Sequence, residues 1–107
     1  HVPIKRVADL LSWQSFPGNV LLKLDIEGSE LAFLAGAKPM MMALKPTLII
    51  EIHPGSLKAA QATGEELKQA LQDLGYSRYA EMHCLETTAA IAELDTSRQR
   101  NVVMFMT

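Results

Sequence analysis

The sequence predicts a single α/β domain whose central strands run parallel, and three observations lead there. Val20-Leu21-Leu22-Lys23-Leu24-Asp25-Ile26 is apolar nearly throughout and too short for a typical helix, which fits a strand buried on both faces, as parallel strands are. A second run of the same kind, Thr47-Leu48-Ile49-Ile50-Glu51-Ile52-His53, follows after a helical segment. Both runs end in ionisable groups, and ligands of open α/β sheets bind beyond the carboxyl ends of the strands.

The elements follow in order. Lys5 to Ser12 spaces Val7, Leu10 and Leu11 for one or two helical turns, and Phe16-Pro17-Gly18-Asn19 is turn chemistry. After the first strand, Gly28-Ser29 offers a helix start with Glu30 in the first turn, where the helix dipole favours an acid. Leu31, Leu34 and Ala35 make the inner stripe of this helix, and Gly36 ends it. Pro39 suits the first turn of a second short helix through Leu44, and Lys45-Pro46 stops it. His53-Pro54-Gly55-Ser56 reads as a loop. Thr63 and Glu66 form a capping box ahead of Leu67, Ala70, Leu71 and Leu74, with Gly75 as the stop. Tyr76 to His83 reads as a strand of weaker pattern, Thr88 to Leu94 as a short helix or loop, and Val102 to Met106 as a final strand. Strand, helix, strand, helix, strand, strand is the order of an α/β domain with right-handed crossovers between parallel strands.

Composition narrows the function classes. The chain has 107 residues, 49% hydrophobic and 21% charged, which fits one globular domain. Its ten Lys and Arg are scattered and its formal net charge is -2, so no footprint for nucleic acid exists. No apolar stretch is long enough to cross a bilayer, which argues against a membrane partner. One cysteine, Cys84, cannot pair internally, and with no secretory leader in this segment a reducing, cytoplasmic location is expected. Met40-Met41-Met42 is core filler, and Cys84 with His83 makes no dyad, because adjacent strand residues point to opposite faces. The chain opens at His1 rather than Met, which suggests a piece of something longer.

The chemistry lies at the strand tips. Asp25 and Glu27 share one parity, as do Glu51 and His53, so on adjacent parallel strands about 4.8 Å apart the four groups converge on one rim. Such a rim can take a proton from a hydroxyl, with His53 or a carboxylate as general base. It can equally hold a hard or borderline divalent metal for hydrolysis, or be the polar edge of a non-catalytic interaction module. Each residue also has a plainer role open to it. Glu27 and Glu30 can serve the helix start, and His53 can be a loop residue. Glu51 and Asp25, set in apolar runs, need a partner or a function to offset burial.

Leu22-Lys23-Leu24-Asp25-Ile26-Glu27-Gly28-Ser29-Glu30 followed by Leu34-Ala35-Gly36-Ala37 resembles the signature of FkbM-type S-adenosylmethionine-dependent methyltransferases. Lys45-Pro46-Thr47, Ile50-Glu51-Ile52-His53-Pro54, Leu74-Gly75-Tyr76 and Asn101 continue the resemblance in order, and Val7 to Leu11 is similar to the family's lead-in helix. The resemblance implies a partial Rossmann-like sheet, mostly parallel with an antiparallel last strand, in which Val20 to Asp25, Thr47 to His53, Tyr76 to His83 and Val102 to Met106 stand as strands four to seven. Residues 1–107 would then be the C-terminal half of the domain, with the upstream half that grips the cofactor absent. It further implies O-methyl transfer from S-adenosylmethionine to a small-molecule or glycan hydroxyl. Asp25 would lie nearest the cofactor and reacting centre, with Glu27, Glu51 and His53 orienting or deprotonating the acceptor. On this reading residues 1–107 alone bind the cofactor weakly and turn over little. The strand at 20–26 would have one unpaired side, so the chain is expected to form homo-oligomers through it or to be only marginally stable. Sedimentation of a well-behaved monomer, with slow amide exchange through Leu21 to Asp25, would contradict that last expectation.

Overall fold

The computed structural model describes residues 20–26 and 28–106. The lead-in helix at residues 5–12, the turn at 16–19 and Glu27 lie outside the described residues. Strand β1 is Leu21–Leu24, helix α1 Glu30–Gly36, α2 Lys38–Leu44 and β2 Thr47–Ile52. Helix α3 follows at Pro54–Ala59, α4 at Gly64–Asp73, then β3 at Tyr76–Glu81 and β4 at Cys84–Ala90. A single 3₁₀ turn at Ile91–Glu93 leads to β5, Arg100–Met106.

The five strands form one open sheet in the order β1-β2-β5-β3-β4. β1 and β2 pair in parallel, Leu21 against Thr47 through Leu24 against Ile50. The other three ladders, β2 with β5, β5 with β3 and β3 with β4, are antiparallel. The expectation of a mostly parallel sheet is therefore corrected to a mostly antiparallel one. The expected antiparallel last strand is present as β5, but although β1, β2 and β3 all run the same way, it separates β2 from β3 and runs against both. The β4 hairpin then adds another antiparallel pair at the far edge.

Alternation along β2 sets the layers. Leu48, Ile50 and Ile52 are buried, and they cluster with Leu24, Val102 and Met104 from neighbouring strands. Leu34, Met40, Met41, Leu57, Leu67 and Leu71 from the helices pack on that same face, so one helical layer covers one side of the sheet. Lys23, Ile49 and Glu51 alternate to the other side and are less covered. β1 is an edge strand among the described residues, with Leu21 65% exposed and Leu24 buried. It is thus buried on one face only, not on both. On α1 the buried positions are Glu30 and Leu34, and Ala35 is exposed rather than part of the inner stripe.

Local signals explain most of the boundaries. Thr63 caps α4 reciprocally with Glu66 through two 3.1 Å bonds. Pro39 stands in the first turn of α2, and Lys45 closes it in the left-handed region with φ 48°. Two segments differ from the sequence reading. The presumed loop at His53-Pro54-Gly55-Ser56 opens α3, with Pro54 at its first position and His53 as N-cap. Thr88 to Ala90 belongs to β4, and only Ile91–Glu93 turns as a short helix. No helix among the described residues is long and apolar enough to cross a membrane.

Tyr76 ties two elements together. Its side chain is 2% exposed, and its hydroxyl donates to the Pro46 carbonyl oxygen at 2.6 Å, holding the entry to β2 against the start of β3. Burial pushes its phenol well above the ordinary value of 10.0, so it stays a neutral donor. Tyr76→Phe leaves the Pro46 carbonyl buried without its donor and should cost about 1–3 kcal/mol, read as a lowered urea midpoint. Because the folded phenol holds its proton to higher pH than the unfolded one, this stabilisation is complete below pH 10.0 and is lost as pH rises beyond it. The alkaline loss should be shallower in Tyr76→Phe, and identical alkaline profiles would remove Tyr76 as its cause.

Candidate active site

The parallel β1–β2 pair fixes the site. The last paired positions are Leu24 and Ile50, both buried, so one step further Asp25 stands beside Glu51 on the opposite, open face. Asp25 is exposed and Glu51 half-buried. With Glu30, His53 and Ser56 they line a cleft of about 280 Å³ at the C-terminal end of the two strands. Asp25 and Glu51 also border an adjoining cleft of about 360 Å³ together with Lys23, Leu24, Ile49, Met82 and Asn101. Of the four expected rim residues, Asp25, Glu51 and His53 thus share one cavity, and Glu27 lies outside the described residues.

Each group is held by something different. Glu51 is positioned from across the sheet: Gln99 Nε2 donates to its Oε1 at 2.6 Å. Gln99 just precedes β5, and the pairing of Glu51 with Asn101 places it there. Nothing in local sequence links residues so far apart, so Gln99 was not legible as a site residue.

His53 caps α3, its Nδ1 accepting from the Ser56 backbone N–H at 3.1 Å. An accepting Nδ1 carries no proton, so the proton of the neutral ring sits on Nε2. In this arrangement His53 offers a hydrogen-bond donor at Nε2.

Glu30 is 2% exposed and folds back on the strand-to-helix link. Its Oε2 accepts from the Ile26 N–H at 3.1 Å and its Oε1 from the Gly28 N–H at 3.0 Å. Ser29, the N-cap of α1, makes no side-chain cap bond, so Glu30 organises the turn instead. Gly28 is the other half of this device. Its φ is +100°, and a Cβ there would stand 2.7 Å from the Ser56 carbonyl carbon. The link after β1 therefore packs against the first turn of α3, which brings Asp25 and His53 to one cleft.

A third and larger cleft, about 620 Å³, adjoins these and is lined by Glu81, Met82, His83, Arg98, Gln99, Arg100 and Asn101. Arg100 is bound on two sides there, by the Glu81 carboxylate and, through Nη1, by the Asp95 carbonyl oxygen at 2.9 Å. Asp95 itself is held below the ordinary carboxylate range, mainly by the hydroxyl of Ser97 and then by its backbone N–H.

The model of the methyltransferase FkbM domain matches residues 2–78. The chain belongs to this family. The match takes in β1 to the start of β3, and with them Asp25, Glu30, Glu51 and His53 of the small cleft. The Gln99 tether and the arginine-lined cleft come from residues beyond the matched segment. No curated protein and no solved structure matches the chain. Among the described residues no three His, Cys, Asp or Glu side chains come together to hold a metal ion.

Proposed function

We propose that the chain supplies the acceptor side of an S-adenosylmethionine-dependent O-methyltransferase acting on a hydroxyl of a sugar or natural product. The observation that carries this reading is the meeting of Asp25, Glu51 and His53 in one cleft on a chain of the FkbM methyltransferase family. The half-sheet would complete a Rossmann-like fold around strands like β1 and β2, whose parallel pairing supports it. The residues fit the cofactor electrostatically, since three carboxylates border a cleft that would receive a sulfonium and an ammonium group.

When bound, S-adenosylmethionine supplies a methyl group already activated for transfer to oxygen. The remaining work belongs to the chain: hold the hydroxyl in line and take its proton. Glu51, fixed by Gln99, would accept that proton. His53 Nε2–H would donate to a neighbouring oxygen of the acceptor and set its orientation. Asp25, exposed at the tip of β1, would face the cationic cofactor.

The test uses the gene product that carries these residues, S-adenosylmethionine labelled in its methyl group, and a panel of sugars and polyhydroxylated natural products. The expected result is a product heavier by one labelled methylene, with the label on oxygen. Transfer to nitrogen alone, or metal-dependent hydrolysis without transfer, would overturn the reading.

A further inference from the structure

We infer that the acceptor carries an anionic group, a carboxylate or phosphate, and that Arg98 in the large cleft receives it while the reacting hydroxyl sits at Glu51. The inference rests on the transferase reading above and extends it to the class of substrate.

The three clefts form one trough. Met82 and Asn101 line both the largest and the middle one, and Asp25 and Glu51 line both the middle one and the smallest. Gln99 belongs to the wall of the largest cleft, yet its side chain reaches Glu51. The trough is chemically polarised. At one end stand Asp25, Glu30, Glu51 and His53, and at the other Arg98, Arg100 and His83 with the single carboxylate of Glu81.

Glu81 and Arg100 are committed to each other, their side chains 24% and 14% exposed. Arg98 is different. Its side chain is 72% exposed, and its nearest carboxylate oxygen, Oδ2 of Asp95, is 4.0 Å away, at the limit of an ion pair. The other oxygen of Asp95 is engaged by the Ser97 hydroxyl and backbone N–H. The basic end therefore has one cation left over for a ligand, and guanidinium pairs planar oxyanions through two parallel N–H bonds. Lys23 is the remaining cation along the trough, on the wall of the middle cleft beside Asp25. It shares that wall with the carboxylates of Asp25 and Glu51, which already offer it negative charge. An acceptor with a hydroxyl at one end and an oxyanion at the other matches this polarity, and the reverse orientation would set its anion against three carboxylates.

Calorimetric titration of the gene product with a hexuronate, a hexose phosphate and the matching neutral hexose reads the inference directly. At least one anionic sugar should bind about tenfold tighter than the neutral one, and the stronger of the two identifies the source of the charge. Arg98→Ala should erase that preference and leave neutral-hexose affinity and the circular dichroism spectrum unchanged, since the Arg98 side chain is 72% exposed. Equal affinities for all three sugars would overturn the inference, as would a preference that survives Arg98→Ala or is lost in Lys23→Ala instead. Methyl transfer with no anion preference removes this inference and leaves the transferase. An Arg98-dependent preference without methyl transfer to any acceptor keeps the arginine cleft as a binding site and removes the transferase.

Discussion

Glu51→Gln should lower methyl transfer by about a hundredfold or more, the usual worth of a positioned general base. The substitution keeps the volume of the side chain, and a glutamine carbonyl can still accept from Gln99, so the fold should be unaffected. What disappears is the ability to take a proton. The loss should therefore fall on kcat, with KM for the acceptor close to that of the wild type. Gln99→Ala leaves the carboxylate but removes its tether across the sheet, and positioning errors of that kind cost about tenfold to a hundredfold in rate. Asp25→Asn has a different signature: if Asp25 faces the cofactor, KM for S-adenosylmethionine should rise along with any loss in kcat. Glu51→Gln within a few-fold of wild-type turnover would mean that Asp25 or another group is the base.

The arrangement of these residues was only partly legible in the amino-acid sequence. The rim itself was readable, because an apolar run that ends in an acid implies a strand tip, and two such runs imply neighbours. Asp25, Glu51 and His53 do border one cleft. The partner that holds Glu51 was not readable, since it comes from long-range pairing. Gln99 reaches Glu51 only because β5 lies against β2. The same insertion of β5 turned an expected mostly parallel sheet into a mostly antiparallel one, and strand periodicity carries no information about it. β4 was missed for another reason. Cys84 to Ala90 is an edge strand exposed at most positions, so it has no buried face to imprint an alternation. α3 was missed because Pro-Gly after His reads as a turn, and histidine is not among the usual N-cap residues. Glu30 was read as a helix-dipole residue and does stand in the first turn of α1. Its buried position, bonded to Ile26 and Gly28, depends on how the link folds back.

Gly28→Ala should be among the most damaging single substitutions in the chain, and Gly75→Ala shows why. Both glycines hold a left-handed backbone, with φ +100° at Gly28 and +103° at Gly75. An alanine at either position pays conformational strain of about 1–3 kcal/mol. Only Gly28 also meets backbone. A Cβ there would stand 2.7 Å from the Ser56 carbonyl carbon and 3.3 Å from the Leu57 N, whereas at Gly75 the nearest atom is the flexible Met106 Sδ at 4.0 Å. Backbone atoms inside α3 cannot rotate away, so the link must lift off the helix. Lifting it pulls Gly28 N–H and Ile26 N–H from the buried Glu30 carboxylate, and a buried charge that loses its donors costs further free energy. Thermal unfolding should show a drop for Gly75→Ala of about 4–8 °C per kcal/mol of strain, and a clearly larger one for Gly28→Ala. The two also separate in function. Gly28→Ala moves Asp25 relative to Glu51 and His53, so methyl transfer should fall even at temperatures where the variant is fully folded. Gly75, at the far end of α4, should leave turnover untouched. Equal thermal losses in the two variants, with equal turnover, would show that the contact between Gly28 and Ser56 neither holds the fold nor positions the site.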